Sequence, residues 1–208
     1  MKERLFSEKD SLELISQMLK QTRQNLEVGS GNIFLYYGYA ALAISLSVFV
    51  LIFLTGNPVW AALWFVMFIV SFVIQRKAEK NKPHVVTYMD KAISNTWSVL
   101  SVLFLLTVLA IVALGWYMGR FEFVLMLPLS LLYAGIGSSI TGVIINMRAL
   151  IYTPLVAFIV GVYMLVELLA GSEPTAYWHL YFGMSFVLMM IIPGHLINSK
   201  SIQQCCKN

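Results

Sequence analysis

Charge is scarce in this sequence. Asp, Glu, Lys and Arg together make up 12% of its 208 residues, whereas soluble domains carry about a quarter. With so few charges and 59% hydrophobic residues, the chain cannot clothe a globule in water-facing side chains, and lipid is the solvent its composition fits. Cysteine is scarcer: Cys205 and Cys206 are the whole supply. An adjacent pair closes no useful loop and lacks metal-site spacing, which argues against a disulfide framework or a zinc module and leaves two free thiols. The signatures of common membrane enzymes are missing as well. There is no His-Glu-x-x-His, no phosphate-binding loop and no pair of carboxylates inside one apolar run. The eleven methionines are scattered, as packing residues are, rather than grouped as copper ligands. No catalytic residue, metal ligand or cofactor is therefore assigned. No cleavable leader is expected, because the first residues are charged and no short apolar segment follows them.

Long apolar runs fill the space that charge leaves. Six of them are long enough, or nearly so, to cross about 30 Å of hydrocarbon. They lie near Ile33–Thr55, Val59–Ile74, Trp97–Tyr117, Phe123–Ile145, Ala149–Ala170 and Tyr177–Leu196. The second is the shortest and spans if Gln75, Arg76 and Lys77 reach back to the headgroups. The predicted fold class is all-α: a polytopic six-helix transmembrane bundle with an N-terminal cytoplasmic amphipathic helix.

Lysine and arginine orient the bundle. Lys2, Arg4, Lys9, Lys20 and Arg23 precede the first run; Arg76, Lys77, Lys80, Lys82 and Lys91 join the second to the third. Arg148 sits between the fourth and fifth, and Lys200 and Lys207 follow the sixth. With six spans, all of these fall on one side, and only Arg120 falls on the other. The rich side is expected to be cytoplasmic, which places both termini there. It also explains the net charge of +4 without a nucleic-acid partner. Aromatic belts agree: Trp60, Trp64, Trp116, Tyr117, Tyr177, Trp178 and Tyr181 mark the outer ends, and Tyr36, Tyr37, Trp97 and Tyr152 the inner ends.

The chain divides into residues 1–31, a cytoplasmic amphipathic helix and glycine hinge; residues 32–200, the transmembrane domain; and residues 201–208, a cytoplasmic tail. Within the first segment Leu12, Ile15, Leu19 and Leu26 fall on one stripe, with Ser7 or Asp10 as its cap. Acidic and basic residues balance there, so the stripe is expected to pack under the bundle or on another protein rather than on anionic lipid. A second helical stretch, from Pro83 to about Asn95, leads into the third span. Two outer turns, Gly56-Asn57-Pro58 and Gly171-Ser172-Glu173-Pro174, combine a helix stop with a proline at a first helical position. The inner ends of the even spans share a pattern of isoleucine, an amide and a base, as in Ile145-Asn146-Met147-Arg148 and Ile197-Asn198-Ser199-Lys200.

Few residues are candidates for chemistry. Glu167 is the only carboxylate inside a predicted span, roughly one turn from its outer end, with Arg120 and His179 as possible partners. Gly135, Ser138, Ser139 and Gly142 form small-xxx-small pairs on the fourth span, faced by Ala157 and Gly161 on the fifth, which reads as close helix packing. A sharper alternative takes Ser138 or Ser139 as nucleophile and His195 as base. Rhomboid proteases resemble that plan, with Gly-x-Ser in the fourth span and histidine in the sixth. Here the serines lie in the inner half, and no second-span His and Asn pair is present for an oxyanion hole.

Three strings carry a wider resemblance. They are Asp90-Lys91-Ala92-Ile93-Ser94-Asn95-Thr96-Trp97, Thr141-Gly142 and Ile192-Pro193-Gly194. With the helix–hinge–span start, they resemble an uncharacterised family of small six-span bacterial inner-membrane proteins. The resemblance implies that membrane and no activity. The expected function is a non-enzymatic regulatory or complex-forming membrane protein, with the lipid bilayer and a protein partner or a second copy as its contacts. A small-solute or ion transporter or channel is the alternative, and an intramembrane serine protease a remote one.

Overall fold

The structure is a computed structural model in which residues 31–80, 88–119 and 123–205 are described. Six helices are long and apolar enough to cross a membrane: α1 Asn32–Thr55, α2 Pro58–Lys77, α3 Tyr88–Met118, α4 Phe123–Ile144, α5 Arg148–Leu169 and α6 Tyr177–Ser199. No strand occurs among the described residues, and the chain is an all-α six-helix bundle. The amphipathic stripe of Leu12, Ile15, Leu19 and Leu26 lies outside the described residues, as does Arg120.

The helix ends follow from local chemistry. After α1, Gly56 takes a left-handed conformation (φ 64°) and its N–H returns to Ile52 O at 2.8 Å. That single bond closes the end, and glycine adopts the conformation without a Cβ penalty. Asn57 then caps α2, its side chain accepting from Val59 N at 3.0 Å, with Pro58 at the first helical position as its sequence suggests. The first eight residues of α2, Pro58–Phe65, are wound as a 3₁₀ helix. Between α4 and α5, Asn146 rather than glycine holds positive φ (54°). Met147 N donates to Gly142 O at 2.9 Å and Asn146 N to Val143 O at 3.2 Å, the paired return bonds of a Schellman turn. The end of α5 repeats the device, with Ser172 N to Glu167 O and Gly171 N to Leu168 O.

The helical stretch read as leading into the third span is continuous with it: α3 starts at Tyr88 and runs unbroken through Trp97 to Met118. Pro174 does not open α6; the helix starts at Tyr177, with Trp178 N bonded to Thr175 O at 3.1 Å. The last helix runs to Cys205 and absorbs the first residues of the expected tail. The repeated isoleucine–amide–base string does not repeat in structure: Asn146 ends a helix, whereas Asn198 lies within one.

Two prolines shape the spans they occupy. Pro154 divides α5 into Arg148–Tyr152 and Pro154–Leu169, because its nitrogen has no hydrogen to continue the ladder. In α6, Val187–Ile191 widens into a π turn just before Pro193, and Ile192 N donates to Val187 O. A proline ring at 193 crowds the carbonyl four residues earlier, that of Met189, and the wider turn moves it aside.

Packing runs in the order α2, α1, α6, α5, α4, α3. More than half of the apolar stretch of α6 is buried, and its Trp178, Phe182, Phe186, Met189 and Met190 form the centre of the core. Small residues permit its contact with α1: a Cβ at Gly183 would stand 2.6 Å from Ser45 Oγ. The two flanking helices contribute little. In its most apolar stretch α2 buries nothing, and α3 buries Gly115.

Candidate functional site

Polar side chains within the spans gather at three levels. At the end of the bundle where α5 meets α6, Glu167 is partly buried and accepts two hydrogen bonds. Trp178 Nε1 donates to Oε2 at 2.9 Å, and the Tyr163 hydroxyl donates to Oε1. Tyr163 lies four residues before Glu167 on the same helix face, a pairing that spacing alone makes readable. Trp178 comes from the start of α6, is 2% exposed and spans the gap between the helices. The carboxylate thus replaces some of its lost hydration with two fixed donors.

Beside it, His179 points the other way. Its Nδ1 accepts from Trp64 Nε1 at 3.1 Å, and its ring stacks on the Trp64 ring with centroids 6.2 Å apart. Its backbone carbonyl accepts from the Ser45 hydroxyl. His179 therefore ties α6 to α2 and α1, while its neighbour Trp178 ties α6 to α5. Sequence suggested His179 as a partner of Glu167. The structure places Trp178 there instead, because adjacent residues of one helix point about 100° apart and α5 lies on the Trp178 side.

The second level belongs to the last turns of α4. Ser138 is fully buried, and its hydroxyl has no hydrogen-bond partner among the described residues. Ser139 donates to Ile151 O at 3.3 Å across the contact with α5. Thr141 accepts from Trp97 Nε1 at 3.1 Å and donates back to Gly137 O at 2.8 Å. This joins α3 to α4, and its signal in the sequence was only a tryptophan at a span end and a threonine among glycines.

At the end carrying Arg76, Lys77 and Arg148, His195 Nε2 lies 2.8 Å from the Tyr39 hydroxyl. Asn198 ties α6 to the start of α1: its amide donates to Asn32 Oδ1 at 2.7 Å and its Oδ1 accepts from Gly31 N at 3.0 Å. The protease constellation is not brought together, since His195 pairs with Tyr39 and neither Ser138 nor Ser139 bonds to a histidine. Among the described residues no three His, Cys, Asp or Glu side chains gather as metal ligands do.

These groups act chemically as couplers: each polar bond across helices holds one pair of spans in register. Set against known proteins, the chain matches no family model, no curated protein and no solved structure.

Proposed function

We propose that this is a non-enzymatic protein of a bacterial inner membrane that acts through contacts, as a regulator or as a subunit of a complex. Its basic end would face the cytoplasm, together with both termini. The observation that carries the reading is the division of labour among the spans. Helices α1, α4, α5 and α6 supply the buried core, while α2 and α3 lay only partly buried side chains such as Trp64, Met67 and Trp97 against it. A span that is not needed to fill the bundle leaves its apolar face for neighbours in the plane of the membrane. Close packing there, rather than a hydrophobic drive, would select the neighbour. On the cytoplasmic side the stripe of Leu12, Ile15, Leu19 and Leu26 would supply a second contact.

The test is an affinity pull-down from native membranes. The intact chain is expected to retain a partner that is lost when the residues before Gly29 are removed, and lost again in an Ile15→Asp, Leu19→Asp double variant. Equal recovery with all three chains would remove the stripe from the function.

A transporter or channel remains the second reading, because Glu167 is a partly buried carboxylate in a span. Under the contact reading, liposomes holding the purified protein leak small ions no faster than empty ones, and Glu167→Gln changes nothing. A flux that the wild type supports and Glu167→Gln abolishes would reverse the order of the two readings.

A further inference from the structure

The basic end of α1, α2 and α6 carries an arc of exposed side chains. Lys77, on α2, places its ammonium 5.2 Å from the centre of the Tyr36 ring on α1. Arg76 lies 4.7 Å over the ring of Phe72. One helical turn along α1 from Tyr36, the Tyr39 hydroxyl meets His195 Nε2 of α6 at 2.8 Å. Tyr36 and Tyr39 are 46% and 49% exposed, and Arg76, Lys77 and His195 are exposed as well. Among the described residues, no carboxylate pairs with Arg76 or Lys77.

From this arrangement we propose that the arc binds the headgroup of an anionic phospholipid, with its acyl chains laid along the exposed face of α2. A cation seated on an aromatic face is held in place, and its remaining N–H groups stay free to donate. Two such cations on adjacent positions offer a phosphate several donors at one depth. Tyr36, the ring beneath Lys77, is of the type that favours the headgroup level of a bilayer. Further along the span Phe68, Ile69, Phe72 and Val73 are each more than half exposed and give the acyl chains an unbroken apolar track. A basic notch between spans is the kind of surface that selects charged lipid, each base there strengthening binding through the field of the headgroup.

The experiment uses the purified full-length chain in a neutral detergent, titrated with phosphatidylglycerol or phosphatidylcholine and read by thermal shift and by lipid retained in native mass spectrometry. Phosphatidylglycerol is expected to bind and to raise the melting temperature, whereas phosphatidylcholine and inorganic phosphate at equal concentration do neither. The Arg76→Gln, Lys77→Gln double variant is expected to lose about ten- to thirty-fold in lipid affinity, from the two basic charges that no longer face the headgroup. Arg148→Gln removes another exposed base, at the start of α5, and is expected to leave binding within about twofold, since generic surface charge contributes little at a fixed site. Tyr36→Phe keeps the ring under Lys77 and should bind as the wild type does, while Tyr36→Ala should not. Equal losses in the double variant and Arg148→Gln would reduce the effect to nonspecific attraction and overturn the site. Equal binding of the two lipids, or a matching effect of inorganic phosphate, would overturn it too.

Discussion

Replacing Gly142 with alanine is expected to destabilise the bundle by about 1–3 kcal/mol, the range for a side chain forced into a filled space. A Cβ at that position would stand 2.7 Å from both Ile151 N and Leu150 C, and 2.9 Å from Leu150 O. These are backbone atoms of α5, so no side-chain rotation relieves the overlap. The carbonyl of Gly142 also receives the return bond from Met147 N, which ties the same residue to the turn. Gly135, two helical turns earlier on the same face, is the internal control. There the nearest atom to an added Cβ is Pro154 O at 3.5 Å, an ordinary contact. Gly135→Ala is therefore expected to be neutral or to gain a few tenths of a kcal/mol from helix propensity. Unfolding of the two variants in detergent, by heat or denaturant, measures the difference. If Gly142→Ala proves as stable as Gly135→Ala, the close approach of α4 to the start of α5 is not what holds that pair.

Trp178→Ala is expected to cost about 3 kcal/mol, the lower end of the range for removing a buried aromatic. The lower end applies because the spans are solvated by lipid tails, and moving the ring between protein and hydrocarbon gains little by itself. What is lost is packing in the centre of the core and one of the two donors to Glu167. Trp178→Phe separates these contributions. It retains most of the ring and removes the N–H, so its expected cost is about 1–2 kcal/mol for a partly buried hydrogen bond to a carboxylate. Combining Trp178→Phe with Glu167→Leu should recover part of that loss, because no carboxylate then remains short of a donor. An additive penalty in the double variant, measured as a thermodynamic cycle, would show that the two side chains do not stabilise one another.

Much of this architecture is legible in the order of residues. The six spans appear as apolar runs, and their ends lie within a few residues of the observed helices except at the start of α3 and at the end of α6, where the helix continues to Cys205. The longer α3 has a simple cause. Tyr88 to Asn95 is polar on one side, and hydropathy ends a span where charge begins, whereas a helix continues as long as its backbone ladder is unbroken. Turn chemistry was equally readable at Gly56-Asn57-Pro58, because the left-handed residue, the cap and the proline act within a few bonds of each other.

The polar couplings were not readable in the same way. Glu167 stood out by being charged, yet its interhelical donor, Trp178, reads in the sequence as one more belt aromatic. His195 drew attention as a possible base for Ser138 or Ser139 and instead faces Tyr39. Ser45 gives no signal of its own, and Trp64 and Trp97 read only as belt aromatics, although each bonds across to another helix.

Taken alone, the sequence determined that the chain is helical, that six segments match the thickness of a bilayer, and where most of them stop. Those properties depend on hydropathy, backbone hydrogen bonding and caps, all of which act over one or two turns. Only the tertiary structure decided that α6 lies at the centre, that α2 and α3 face outward, and which polar groups meet. In hydrocarbon every apolar face is equally well solvated, so hydropathy cannot rank one helix neighbour above another. The choice falls to shape at glycines such as Gly142 and Gly183, and to single hydrogen bonds such as those from Trp178 and Trp64, which depend on residues far apart in the chain.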